Sequence, residues 1–305
     1  MNLIIRTEQE LARMYTNLEV QYIILNETSQ EFGMADGGMK PISKEIHDNL
    51  KNACSILYEF NLFKRKTQEL RLNYESILNS EKSWIAKLST SEGEKSTALQ
   101  EPIFIDINRR LTNFIVSIKT LIDDLLIKHK LPEIFDTDKV EYFKKIVSTW
   151  YDSKISYKFF IRLRDYAVHY DLPIQIVRFN YDFDKKRVIP INVNYAVEFR
   201  KSSLFKNSTF KSKLEDDLRS YNHTFPLYPF LDEIEFIFDE ILMAILNISE
   251  GRYLDAVNLI ENNIKDIPNK VTVSVGRVIR DGDTIGPRTE LFNMDSMELI
   301  KRLTR

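Results

Sequence analysis

The chain has 305 residues and a formal net charge of −2, so affinity for nucleic acid would have to come from a local basic patch. Its 8 glycines and 9 prolines favour long helices over many short strands. The single cysteine, Cys54, excludes an intrachain disulfide and a cysteine-based zinc cluster and fits a reducing compartment. No segment approaches the roughly 20 apolar residues of a membrane span, and the first residues lack the apolar core of a secretion signal. We therefore expect a cytoplasmic protein with no membrane partner.

The first half of the chain is predicted to be helical. A helix is expected over residues 7–31, and apolar side chains at spacings of three and four predict long amphipathic helices over 43–79 and 103–127. The polar stretch 87–101 between them is the best candidate for a mobile loop. Pro132 predicts the end of the third helix, because the residue before a proline disfavours helical backbone.

Two shorter helices follow, over about 139–149 and 153–169. The pattern Asp138-x-x-Glu141 resembles a capping box and predicts the start of the first. Asp152 is expected to cap the second helix, and Pro173 to close it.

The second half changes character. Residues 174–182 and 188–199 alternate with a period of two around a charged turn and predict a β-hairpin. The remaining predicted elements are helices over 208–221, 229–248, 251–265 and 295–303 and a strand at 271–275. The fold class is therefore mostly α: a helical bundle with an inserted β-hairpin and a small mixed α/β C-terminal region. We expect a bundle over 1–173 and a second part over 174–305, packed together as one unit.

The predicted helix 153–169 concentrates the residues with chemical potential. Lys158, Arg162, Asp165 and His169 follow at spacings of four, three and four, so they share one helix face at about 100° per residue. Arg164 is off that face by roughly a third of a turn, and its long stem can reach around. Asp165 could accept a hydrogen bond from His169 and fix the tautomer of the imidazole.

This set of residues suits cleavage of RNA. A histidine can take the 2′-hydroxyl proton or protonate the leaving oxygen, while an arginine holds the phosphate. Lys158 and Arg162 would add positive charge, and Tyr166 and Tyr170 could stack on bases. The other histidines are far apart in sequence, so no metal site and no cofactor is predicted. The alternative is structural: Arg162 and Asp165 form an exposed ion pair, and His169 caps the helix C-terminus.

The segment Arg164-Asp165-Tyr166-Ala167-Val168-His169 resembles the motif of the HEPN superfamily. These are helical domains found in many prokaryotic toxins, abortive-infection proteins and CRISPR-associated ribonucleases. Their signature is an arginine, usually a polar residue, a few further residues and a histidine on a late helix of a bundle. Arg164, Asp165 and His169 match it in turn, with Asp165 standing where asparagine is commonest. The resemblance covers about 25 residues closely and the preceding helices only in character.

The resemblance implies an HEPN-like bundle and a metal-independent endoribonuclease that leaves a 2′,3′-cyclic phosphate, acting in phage defence or as a toxin. His169 would be the acid or base, Arg164 the phosphate holder and Asp165 the residue that orients His169. The family implies a homodimer with a cleft built from two motifs, and an antitoxin or defence-system protein as a possible partner. Two alternatives stay open: a non-catalytic RNA-binding or protein-interaction module, and a scaffold whose partner carries the activity.

Overall fold

The computed structural model describes residues 21–25, 40–90, 98–182, 192–265, 273–281 and 284–304. The α-helices are Lys44–Ser89 (α1), Gln100–Lys119 (α2), Leu131–Ile134 (α3), Thr137–Ser153 (α4), Ile155–His169 (α5), Lys201–Leu204 (α6), Ser208–Leu214 (α7), Tyr228–Ile234 (α8), Ile237–Ile248 (α9), Arg252–Ile264 (α10) and Met294–Leu303 (α11). The strands are Gln21–Leu25 (β1), Lys40–Ile42 (β2), Ile176–Asp182 (β3), Asn192–Arg200 (β4), Thr224–Pro226 (β5), Val273–Asp281 (β6) and Thr284–Leu291 (β7). The prediction of a mostly α fold with an inserted β-hairpin is confirmed. None of the described helices is long and apolar enough to cross a membrane.

The contacts group the chain into two compact units. Residues 1–65 and 249–305 form the first unit, and residues 66–248 form the second. The boundary falls within α1, so this grouping differs from the expected parts 1–173 and 174–305.

The first unit contains a four-stranded mixed sheet in the order β2-β1-β6-β7. Strand β1 pairs in parallel with β2 and β6, and β7 returns antiparallel to β6. The predicted helix over 7–31 is therefore wrong at residues 21–25, which form β1, and its remainder lies outside the described residues. The segment QYIIL is rich in residues that favour strands, and β6 supplies its hydrogen-bonding partner. The predicted strand at 271–275 corresponds to the start of β6, and β7 was not predicted.

The helices of the first unit pack through an aromatic pair and one buried polar contact. The rings of Phe60 on α1 and Tyr253 on α10 lie 5.3 Å apart and are fully buried. The Oγ of Ser296 contacts Oδ1 of Asn61 at 3.4 Å in the interior. Asn293 caps α11 by accepting a hydrogen bond from the backbone N–H of Ser296, as expected of an asparagine at this position.

In the second unit, the helix predicted to end at Pro132 continues to Ile134. A π-helical segment, Thr120–Lys130, joins α2 to the short helix α3. Pro132 lies in the first turn of α3, and the backbone before it is already helical, so the proline falls inside a continuous helical stretch. The predicted loop 87–101 is helical at both ends, and residues 91–97 lie outside the described residues.

The start of α5 is stabilised differently from the prediction. Asp152 lies inside α4, and Lys154, in extended conformation, separates α4 from α5. The backbone N–H of Ser156 donates instead to Oε2 of Glu233 on α8, at 2.9 Å. A carboxylate distant in sequence thus provides the negative charge that the N-terminus of α5 favours.

The start of α4 also differs from the prediction. This helix begins at Thr137, so Asp138 lies in its first turn and is not the cap residue.

The predicted hairpin is confirmed, and it carries a third strand. Strands β3 and β4 pair antiparallel from Ile176–Glu198 to Asp182–Asn192, and β5 adds to the other edge of β4. The charged turn lies outside the described residues. Asn108 of α2 fixes the segment leading into β3, because its side chain both donates to and accepts from the backbone of Ile174, at 3.2 and 2.8 Å.

Phe159 of α5 is the centre of an aromatic core in the second unit. It is fully buried, and its ring meets rings from the hairpin sheet and from α7 and α8. The neighbouring rings, with centroid distances of 4.5 to 5.9 Å, are Phe230, Phe199, Phe160, Phe210 and Phe225. Such tilted and edge-to-face pairs add to the free energy gained by burial.

A single carboxylate ties the second half of α1 to α2. Asp106 accepts hydrogen bonds at 2.8 to 3.0 Å from the side chains of Ser80, Trp84, Arg109 and Arg110. Burial acts to raise the pKa of this carboxyl, but these donors outweigh it and hold the pKa well below its usual range.

Truncation of Phe159 should destabilise the second unit strongly. We expect Phe159→Ala to lower the free energy of unfolding by about 3–5 kcal/mol, because it removes a ring from a fully packed site. Denaturation followed by fluorescence reports on this unit, since Trp84 and Trp150 both lie in it. Tyr142→Ala, which truncates an exposed ring on α4 of the same unit, is the control and should stay within about 0.5 kcal/mol. Equal effects of the two substitutions would contradict the central role of Phe159.

Asp106 should make stability depend on pH. Because its pKa is lower in the folded than in the unfolded chain, its contribution is present above about pH 4 and is lost as the pH falls through the folded pKa. We expect Asp106→Asn to cost about 1–3 kcal/mol at pH 7, and the difference from wild type to shrink between about pH 4 and pH 2. Asp152→Asn, at an exposed position inside α4, is the control. A difference that stays constant down to low pH would refute this assignment.

Candidate functional site

Helix α5 has one side that is buried and another that is exposed or partly exposed. Phe159, Leu163 and Tyr166 point into the core, as their spacing predicts. His169 is the last residue of the helix and is exposed. The backbone N–H groups of Tyr170 and Asp171 both donate to the carbonyl of Tyr166, and this closes the helix immediately after the histidine.

Asp165 lies among three cations. Its Oδ1 accepts a hydrogen bond from Nη1 of Arg164 at 3.1 Å and lies 3.6 Å from Nζ of Lys119 on α2. Its Oδ2 lies 3.9 Å from Nη1 of Arg162. Lys119 is also 3.9 Å from Asp123. Each cation is partly desolvated, with side-chain exposures of 26 to 28%. We call Lys119, Arg162, Arg164 and Asp165 the charged cluster.

Arg164 retains an unused donor. Its Nε is buried and has no hydrogen-bond partner in the part of the chain that the structure describes. Since a buried donor without a partner is costly, this N–H favours any acceptor that reaches it. The guanidinium is therefore only partly satisfied by Asp165.

The hydrogen bond predicted between Asp165 and His169 is not formed. Within the described residues, the His169 side chain makes no hydrogen bond or ion pair, while both oxygens of Asp165 face cations. The reason is electrostatic: three cations lie within 4 Å of the two oxygens of this carboxylate and attract it. The structural alternative predicted an ion pair between Arg162 and Asp165, and this pair is present with an N–O distance of 3.9 Å.

The predicted RNA-binding cations, Lys158 and Arg162, both lie near the ring of Tyr151 but have different polar partners. Nζ of Lys158 donates to Oδ2 of Asp217 at 2.6 Å, so its charge is compensated. Nε of Arg162 donates to the Tyr151 hydroxyl at 2.6 Å, and its guanidinium lies 5.3 Å from the centre of that ring.

The two tyrosines proposed to stack on bases differ. Tyr166 is 1% exposed, so the prediction that it stacks on a base is wrong; its position on the apolar stripe places it in the core. Burial also raises the pKa of Tyr166 to about 12. Tyr170 is 49% exposed, and its ring lies 5.1 Å from that of Tyr166. Of the two, only Tyr170 presents a ring surface to solvent.

Lys119 is the site residue that sequence reasoning missed. It comes from α2, a different helix from the motif, so no linear spacing connects it to Asp165. A lysine next to the apolar positions of a helix is an ordinary surface residue by pattern, and only the packing of α2 against α5 brings it to the site.

The described residues contain no group of three or more histidine, cysteine, aspartate or glutamate side chains that could hold a metal ion. Of the other histidines, His47 is buried and contacts Asp48 at 3.1 Å. Comparison with protein-family models, curated proteins and solved structures found no match.

Proposed function

We propose that the chain is a metal-independent endoribonuclease of HEPN type. The observation that carries the proposal is the charged cluster at the end of α5, beside an exposed histidine on the same helix. It unites a phosphate-binding arginine and a proton-transfer group, the two functions that RNA cleavage without a cofactor requires. The resemblance of Arg164, Asp165 and His169 to the HEPN motif supports the same conclusion.

In the proposed reaction, the 2′-oxygen of a ribose attacks the adjacent phosphorus, and the bond to the 5′-oxygen of the next nucleotide breaks. The products are a 2′,3′-cyclic phosphate and a 5′-hydroxyl. In the dimer proposed below, one His169 removes the 2′-hydroxyl proton and the other protonates the leaving 5′-oxygen, while Arg164 stabilises the extra charge on the phosphate oxygens. Tyr170 offers a ring on which a neighbouring base could stack. We place this activity in the cytoplasm, in phage defence or as a toxin whose partner protein restrains it.

The second candidate is a non-catalytic RNA-binding or protein-interaction module, including a scaffold for a catalytic partner. Two observations favour it: Asp165 compensates Arg164 within one chain, and His169 has no partner among the described residues to fix its tautomer. The binding function would use the same cations without proton transfer.

Replacement of His169 separates the two candidates. We expect His169→Ala to lower RNA cleavage by about 10²–10⁴-fold, the usual contribution of a general acid or base. Stability should change by less than about 0.5 kcal/mol, because the side chain is exposed. His223→Ala, a second exposed histidine of the same unit, is the matched control. A chelator should leave wild-type cleavage unchanged, and cleavage that persists in His169→Ala would exclude the proposed mechanism.

We further propose a homodimer that brings two copies of α5 together. A second histidine would supply a base on one side of the phosphate and an acid on the other. Val168, Tyr170 and Leu172 flank His169 and are 46 to 49% exposed, so an apolar surface is available for a symmetric contact.

Light scattering coupled to size-exclusion chromatography should therefore give twice the 36.0 kDa chain mass. Val168→Asp should shift the mass towards the monomer and reduce cleavage, because it buries a charge in the contact. Glu215→Asp, on an exposed helix end, should leave both unchanged. A monomer that cleaves RNA at the wild-type rate would rule out the composite site.

A further inference from the structure

The contacts of Asp165 suggest a role different from the predicted one, which was to orient His169. A phosphodiester group carries one negative charge and presents two non-bridging oxygens. The carboxylate of Asp165 has the same charge and the same number of oxygens, and both face cations of the charged cluster.

We infer that Asp165 is an internal anion that occupies the phosphate-binding cations and weakens the binding of RNA phosphate, and that Lys119 is a third cation of this site. The choice of RNA phosphate as the ligand rests on the proposed function. The competition itself rests on the contacts of Asp165 alone.

The contacts argue for competition rather than for simple structural support. The side chains of Lys119, Arg162 and Arg164 come from two helices and converge on one carboxylate, yet none of the three distances is shorter than 3.1 Å. Asp165 is 36% exposed, so these pairs are screened by solvent and contribute little to folding. Arg164 also keeps the Nε donor that Asp165 does not use. The cluster therefore has an excess of positive charge around an anion that lies 3.1 to 3.9 Å from its cations.

Removal of the Asp165 charge tests this competition. Asp165→Asn keeps the size of the side chain and removes its charge. The probe is a short RNA with a 2′-O-methyl group on every ribose, which cannot be cleaved because it lacks the attacking hydroxyl. We expect Asp165→Asn to bind this RNA about fivefold more tightly at low salt, the effect of one unit charge about 4 Å away in water. The gain should shrink as salt is raised.

A matched control distinguishes this local effect from a change in net charge. Asp216→Asn also removes one negative charge, and Asp216 likewise pairs with an arginine three positions away on the surface of the same unit. This control should bind the RNA as wild type does. If both variants bind equally more tightly, overall charge is responsible and the inference is wrong.

Lys119 is tested in the Asp165→Asn protein. Adding Lys119→Gln should reverse most of the gain in affinity, whereas Lys206→Gln, at an exposed lysine, should have little effect. If Lys119→Gln changes nothing, Lys119 does not belong to the site.

The outcomes separate this inference from the nuclease proposal. Unchanged or weaker binding by Asp165→Asn overturns the competition, because Asp165 would then support the site. Tighter binding together with no cleavage of unmodified RNA by either protein supports the competition and rejects the nuclease. Failure of all variants to bind the RNA overturns both.

Discussion

The rotation of helix α5 about its own axis depends on the burial of Phe159. A helix can rotate about its axis until its buried side is fixed by packing. Here four aromatic rings from the hairpin sheet and neighbouring helices enclose the side chain of Phe159. The rotation fixed by this core puts Leu163 and Tyr166 inside and leaves Arg162 and Asp165 partly exposed. The site is therefore a consequence of packing on the opposite side of the same helix. Its polar residues contribute little to holding it in place, since their ion pairs are partly exposed.

The elements that sequence predicts well are those whose pattern is local. Apolar residues at spacings of three and four predict α1 and α2, and alternation with a period of two predicts the β3–β4 hairpin. Strand β1 was mistaken for helix because its conformation is decided by pairing with β6, which is distant in the chain. The prediction that Asp152 caps α5 was wrong for the same reason, because Glu233 supplies the carboxylate at the start of this helix. Interactions between distant residues leave no periodic signal in the sequence.

The candidate site likewise contains residues that helix spacing places correctly and others that depend on contacts between distant segments. The placement of Arg164, Asp165 and His169 at the end of one helix follows from their spacing and from the closing residues after them. Tyr166 was expected to stack on bases because it lies beside basic residues in the sequence, although its position on the apolar stripe predicted burial. Lys119 was missed because only tertiary packing brings α2 to Asp165. Spacing along a helix determines which residues are neighbours on it, but the partner of a charged group depends on what other helices bring near.

Asp165 illustrates how this partner choice bears on chemistry. Its carboxylate could orient His169 or compensate Arg164, and the observed contacts occupy both oxygens with cations. Three cations lie within 4 Å of this carboxylate, and their attraction outweighs a single hydrogen bond from the histidine. Two features of the site follow from the one carboxylate: the charge of Arg164 is compensated, and His169 lacks an orienting partner among the described residues. An anion that displaces Asp165 from Arg164 would change both features together, because the same oxygens would be released.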